Sequence, residues 1–107
     1  MQYFTNGTPR TKLSWTAPTE NVDGSPIDYA LSYELQEDDV PIISFPGSLN
    51  PDGTYSVLLA DVPTFTRGDH NLTLEAISDT GVHSADSNVV VLTADVQPGA
   101  PLNFFAE

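Results

Sequence analysis

The feature that most constrains this chain is the strict alternation in "IDYALSYEL", residues 27–35. Ile27, Tyr29, Leu31, Tyr33 and Leu35 fall on one side, and Asp28, Ala30, Ser32 and Glu34 on the other. A period of two puts all five large apolar side chains on one face of a strand, whereas a helix would spread them around its circumference. The same period recurs in "TKLSWTA", where Leu13, Trp15 and Ala17 oppose Lys12, Ser14 and Thr16. In "TYSVLLADV" (54–62) Tyr55, Val57 and Leu59 are in phase, and in "HNLTLEAIS" (70–78) Leu72, Leu74 and Ala76 are in phase with His70. "VPIISF" (40–45) reads as a short edge strand because Pro41 has no N–H to give to a ladder, and "NVVVLTA" (88–94) as the last core strand.

Turn-forming clusters separate these segments: "APTENVDGSP", "QEDD", "PGSLNPDG", "PTFTRGD" and "DTGVHSADS". No stretch of ten or more residues has helical apolar spacing. Ten residues precede "TKLSWTA", leaving room for a short strand over Gln2–Thr5. About six short strands between turns point to an all-β antiparallel sandwich, with a small barrel as the alternative.

A length of 107 residues suits one domain with one core. We take 1–96 as that domain and 97–107 as a C-terminal tail. There is no cysteine, which excludes disulfides, a thiol nucleophile and cysteine metal sites. Acids outnumber bases 15 to 3, for a net charge of −12, and every acid lies at or after Glu20. Such a surface repels phosphate backbones and anionic lipids, so neither nucleic acid nor membrane is expected as a partner. "MQYFTNGTPRTKLSW" lacks the basic and then apolar order of a signal peptide. The expectation is a protein that stays where it is made, or a domain cut from a larger chain.

Several segments together resemble a fibronectin type III domain over roughly residues 11–93, a member of the immunoglobulin-like sandwiches, and the resemblance implies a seven-stranded antiparallel sandwich. "LSWTAP" is similar to that family's strand B, with Trp15 and Pro18 in place. "ENVDGSPI" is similar to the loop common in its bacterial and phage members. The Tyr29–Tyr33 segment matches its tyrosine-bearing strand C, and "GVHSADS" its approach to strand G through Gly81, Ser84 and Ser87. Trp15, Tyr33 and His70 are then the fold-defining positions. The resemblance implies a tyrosine at the corner before strand F, bonded to backbone upstream; here the position is His70. The family's opening motif precedes strand B, yet a segment of that look, Pro98, Pro101, Leu102, Asn103 and Phe104, lies at the other end of this chain.

Chemistry-bearing motifs are few. Ser84, His83 and Asp86 could make a triad only as local neighbours, which its geometry disfavours. His83 reads as a solvated turn residue. No segment has the spacing of a calcium loop, and Asp23-Gly24, Asp52-Gly53 and Asp79 read as turn acids. We expect no catalytic residue, no metal and no cofactor. Arg67-Gly68-Asp69 is the tripeptide that integrins read. In the adhesive member of the resembled family it tips the loop between strands F and G; here it falls before strand F, where Gly68 and Asp69 have turn roles.

The expected function is therefore contact rather than catalysis. The leading expectation is an accessory virion protein of a bacteriophage, a head-decoration or tail-associated subunit. The alternative is a spacer or adhesion module of a larger bacterial surface protein or secreted enzyme, located extracellularly. Candidate assembly contacts are Tyr3, Phe4, Pro101, Leu102, Phe104 and Phe105. The expected partners are other protein subunits: a capsid or tail protein, or a second copy reached by strand addition. Residues 101–106 are expected to dock, either on their own domain or on a neighbour.

Overall fold

Asn6 and Gly7 set the first turn. Both have positive φ, 49° and 75°, as a two-residue hairpin turn of the twist-matched kind requires. They join β1 (Gln2–Thr5) to β2 (Thr8–Arg10). The computed structural model describes residues 1–107, with β3 (Lys12–Trp15), β4 (Ser32–Glu37), β5 (Val40–Phe45), β6 (Ser48–Leu49), β7 (Tyr55–Leu58), β8 (Gly68–Ile77) and β9 (Val90–Asp95) following in order. One 3₁₀ turn, Leu59–Asp61, follows β7. No helix is long and apolar enough to cross a membrane.

The nine strands form two antiparallel sheets. One runs β2-β1-β9-β8-β4-β5 and the other β3-β7-β6. The all-β, two-sheet expectation holds, but the count is nine rather than seven. Part of the excess is the Asn-Gly hairpin. Its first strand pairs with β9, Gln2 opposite Asp95 and Phe4 opposite Thr93, and does not lie beside β3.

The alternating segment 27–35 forms a strand only from Ser32, and continues to Glu37. Its partner sets the limit. β8 ends at Ile77, opposite Ser32, so residues 27–31 have no ladder to join. Segment 54–62 is likewise shorter than expected, because Leu59 opens a 3₁₀ turn rather than extending β7.

The core lies between the sheets. Leu35 of β4, Leu72 of β8, and Leu92 and Ala94 of β9 point inward, and Leu59, Val62 and Phe65 close one end. Leu72 and Leu92 are almost fully enclosed, each stabilising the fold by about 1.5–3 kcal/mol. Trp15 is half-buried at the opposite end of β3 from Lys12. Its ring packs on Tyr33 at 4.8 Å and Phe45 at 5.7 Å. Gly47 passes directly under it with φ +74°; a Cβ there would stand 2.8 Å from Trp15 Cζ2.

The body is elongated. The radius of gyration is 17.7 Å and the extents are 72 × 30 × 20 Å, against roughly 13 Å for a compact chain of this length. Residues 96–107, all exposed and beyond the last strand, extend the long axis.

Candidate functional site

The corner before β8 is tied by His70. The ring is largely buried, with Nε2 2.6 Å from the Thr66 carbonyl and Nδ1 2.6 Å from Glu37 Oε2. A carbonyl can only accept, so Nε2 donates; Nδ1 faces a carboxylate, which also accepts. This environment suits the doubly protonated ring. Burial works against that charge, but the bonds to Glu37 and Thr66 and the negative charges of Glu37 and Asp69 outweigh it and raise the pKa above the ordinary histidine value. Phe65 stacks beside the ring at 4.9 Å.

The integrin-type triplet sits differently from the expectation. Gly68 and Asp69 are the first two residues of β8, opposite Ala94 and Thr93, so the turn ends at Arg67 rather than at Asp69. Gly68 is needed for its φ of 125°. Arg67 Nε lies 2.8 Å from Asp95 Oδ1, and Thr93 Oγ1 donates to Asp69 Oδ1 at 2.6 Å. Both charged ends of the triplet are thus held against β9, and neither projects from a loop tip.

The candidate assembly contacts separate into two groups. Tyr3 packs edge-on against Phe65 at 5.9 Å, and its hydroxyl accepts from the Phe65 N–H at 3.4 Å. Phe4 is half-buried on β1. Tyr3 therefore belongs to the packing of this chain. Pro101, Leu102, Phe104 and Phe105 do not. Leu102 is 86% exposed, Phe104 96% and Phe105 69%. Docking of the tail on its own domain, one of the two expectations, does not occur. A bond from Gln2 Nε2 to Gln97 Oε1 ties the start of the tail to β1.

The body carries a matching opening. β3 is the outer strand of the smaller sheet, paired with β7 on one side only. Beside it lies a cleft of 370 Å³ between the sheets, lined by Leu13, Trp15, Leu35, Val57, Leu74 and Val90 among others. The Trp15 indole N–H is buried and finds no acceptor of good geometry.

A third arrangement lies on the outer face of the larger sheet. Antiparallel register sets Glu34 opposite Glu75. Segment 83–87 runs along the part of β8 that β9 leaves free. Ser84 and Ser87 accept from the Ala76 and Leu74 N–H groups through their hydroxyls, and donate their own N–H groups to the Ala76 and Leu74 carbonyls. This pins His83 Nδ1 2.9 Å from Glu75 Oε1, while Gln36 Nε2 donates to Glu34 Oε1 at 2.8 Å. His83 lowers the Glu75 pKa through that bond, and the nearby Glu75 carboxyl raises that of Asp86. Glu34, Glu75 and His83 bring one ligand atom each to within 4.8 Å of one another. The arrangement can hold a proton among carboxylates, and its donor set suits a divalent cation. His83 is exposed, as expected, but is also tethered to Glu75. No local motif signals this, since the cluster depends on cross-strand register.

The aspartates at two turns take the expected role. Asp23 Oδ1 accepts from the Ser25 N–H at 2.9 Å and Asp52 Oδ1 from the Thr54 N–H at 3.0 Å. Bonds from the Ser25 and Thr54 hydroxyls and amides hold both carboxyls below the usual range.

A comparison of the chain with protein-family models, with curated proteins and with solved structures finds no match in any of the three.

Proposed function

We propose that this chain is a non-catalytic interaction module of fibronectin type III-like build, serving as an accessory structural protein of a bacteriophage particle, as a head-decoration or tail-associated subunit. The observation that carries the reading is the tail. Leu102 and Phe104 lie almost wholly in water, and Phe105 largely so, beyond the last strand. Free apolar groups of this size are a standing cost unless a partner covers them. The acidic surface suits a subunit that faces solvent once attached. The fold-family part is supported by Trp15 packed on Tyr33, by the backbone bond of His70 at the corner, and by the serine-pinned approach to the last strand.

A second reading, a spacer module of a larger bacterial surface protein or secreted enzyme, is favoured by the same segment. "QPGAPLNFFAE" runs free, as a linker leading into a following domain would. Co-expression with the particle proteins encoded beside it tests the first reading. The chain should co-sediment with assembled particles, and the Phe104→Ser/Phe105→Ser double variant should remain in the supernatant. A wild-type chain that stays behind, or a double variant that still co-sediments, excludes attachment through the tail.

A further inference from the structure

We infer that the tail of one copy adds as a strand to the open edge of β3 in a second copy. This rests on the reading of the tail as the attachment segment, and it names the receiving surface.

The edge is ready for pairing. The Leu59 N–H donates to the Thr11 carbonyl, so Thr11 turns its backbone polar groups toward β7. Strand alternation then turns those of Lys12 and Ser14 outward, away from β7. β3 has no strand on that side. An unpaired edge of this kind accepts an extended segment through main-chain bonds, and side-chain pockets set which segment fits.

The tail fits in pattern. Leu102 and Phe104 are two apart, as are Leu13 and Trp15, which point into the cleft. A strand laid beside β3 therefore sends Leu102 and Phe104 into the cleft with them and Phe105 to the outer face. Asn103, at φ 55° in the free tail, has to extend.

Charge and direction select a second copy. The chain has three basic residues, and two of them, Arg10 and Lys12, flank the start of β3. An antiparallel tail with residue 102 beside Trp15 brings Glu107 to Lys12 and Arg10. By the direct path a chain does not deliver its own tail this way. Asp95 ends β9 opposite Gln2, and Ala94 and Arg10 both lie opposite Tyr3, so β9 ends at the level where β3 begins. The chain's own tail reaches β3 from the Lys12 end and would run parallel, carrying Glu107 away from both bases.

Sedimentation velocity of the 107-residue chain from micromolar to millimolar concentration tests this. Species heavier than the 11.5 kDa monomer should grow with concentration. They should vanish in Phe104→Ser/Phe105→Ser, and also in Ser14→Pro, which removes an outward N–H that the β3–β7 ladder does not use. A synthetic peptide of residues 97–107, added to the unaltered chain, should shift the Trp15 emission and disperse the assemblies, which keeps the test independent of how Ser14→Pro folds. A chain that stays monomeric with Trp15 unmoved by the peptide overturns the inference. So does assembly that persists in a folded Ser14→Pro variant. Particle attachment that needs Phe104 and Phe105 without any self-association sinks this inference alone and leaves the attachment reading standing.

Discussion

Replacing His70 with phenylalanine isolates the corner tie. The ring volume is roughly kept, so Phe65 and the core retain their packing, while both polar contacts go. The native ring makes bonds of 2.6 Å to the Thr66 carbonyl and to Glu37 Oε2. Bonds that involve a charged partner stabilise by about 1.5–3 kcal/mol, and a carbonyl or carboxylate stranded without its donor adds a desolvation cost. We expect His70→Phe to lose about 2–4 kcal/mol at pH 6, enough to lower the midpoint of thermal unfolding by about 8 °C or more at roughly 4–8 °C per kcal/mol for a domain near this size. The loss should depend on pH. The folded pKa of His70 lies above its unfolded value. Its contribution is therefore complete below the ordinary histidine pKa and is lost as pH rises through the folded value. In that window the wild type should lose up to about 1.4 kcal/mol per pH unit relative to the variant. Urea unfolding followed by Trp15 fluorescence, from pH 5.5 to 9, measures both curves. Parallel curves, or a wild-type advantage that grows with pH, would refute the protonated corner.

Gly47→Ala should destabilise by about 2–5 kcal/mol, since positive φ costs an L-residue about 1–2 and crowding the Trp15 ring about 1–3; a loss below 0.5 kcal/mol by the same urea assay would contradict the close approach. The β4–β5 turn places Asp38 and Asp39 at φ 49° and 66°, so Asp38→Asn/Asp39→Gly should raise stability by about 1–2 kcal/mol, and a neutral or lower midpoint would count against that turn. Immobilised chain should support no integrin-dependent cell adhesion, because Arg67 and Asp69 are held against β9; adhesion abolished by Asp69→Glu would show that the triplet is presented after all.

The fold was legible where alternation met a partner. Tyr33, Leu35 and Leu72 are buried as the period of two requires. Ile27, Tyr29 and Leu31 alternate as well, yet form no strand, because ladder length is set by β8 and not by their own pattern. The Asn6-Gly7 turn carries one of the strongest hairpin signals a short sequence can hold, and it shows that the N-terminal room expected for one strand holds two. His70 could be placed at the corner from position alone; its second bond, to Glu37, depends on how the β4–β5 turn meets β8. The cluster of Glu34, Glu75 and His83 was not legible, since residues 41 and 8 positions apart become neighbours only through strand register and the serine-pinned segment. The apolar tail was legible as an anomaly. Its exposure, and the open edge of β3, came from the three-dimensional arrangement.

The central claim is that residues 101–106 work by contact with another chain. Hydrogen exchange measured at rising concentration of the unaltered protein tests it most directly. The amides of Asn103 and Phe105 and those of Lys12 and Ser14 should gain protection together, over the same concentration range, while the β4–β8 ladder stays constant. Tail amides that exchange at the unprotected rate at every concentration, and also in the presence of assembled particles, would contradict the account.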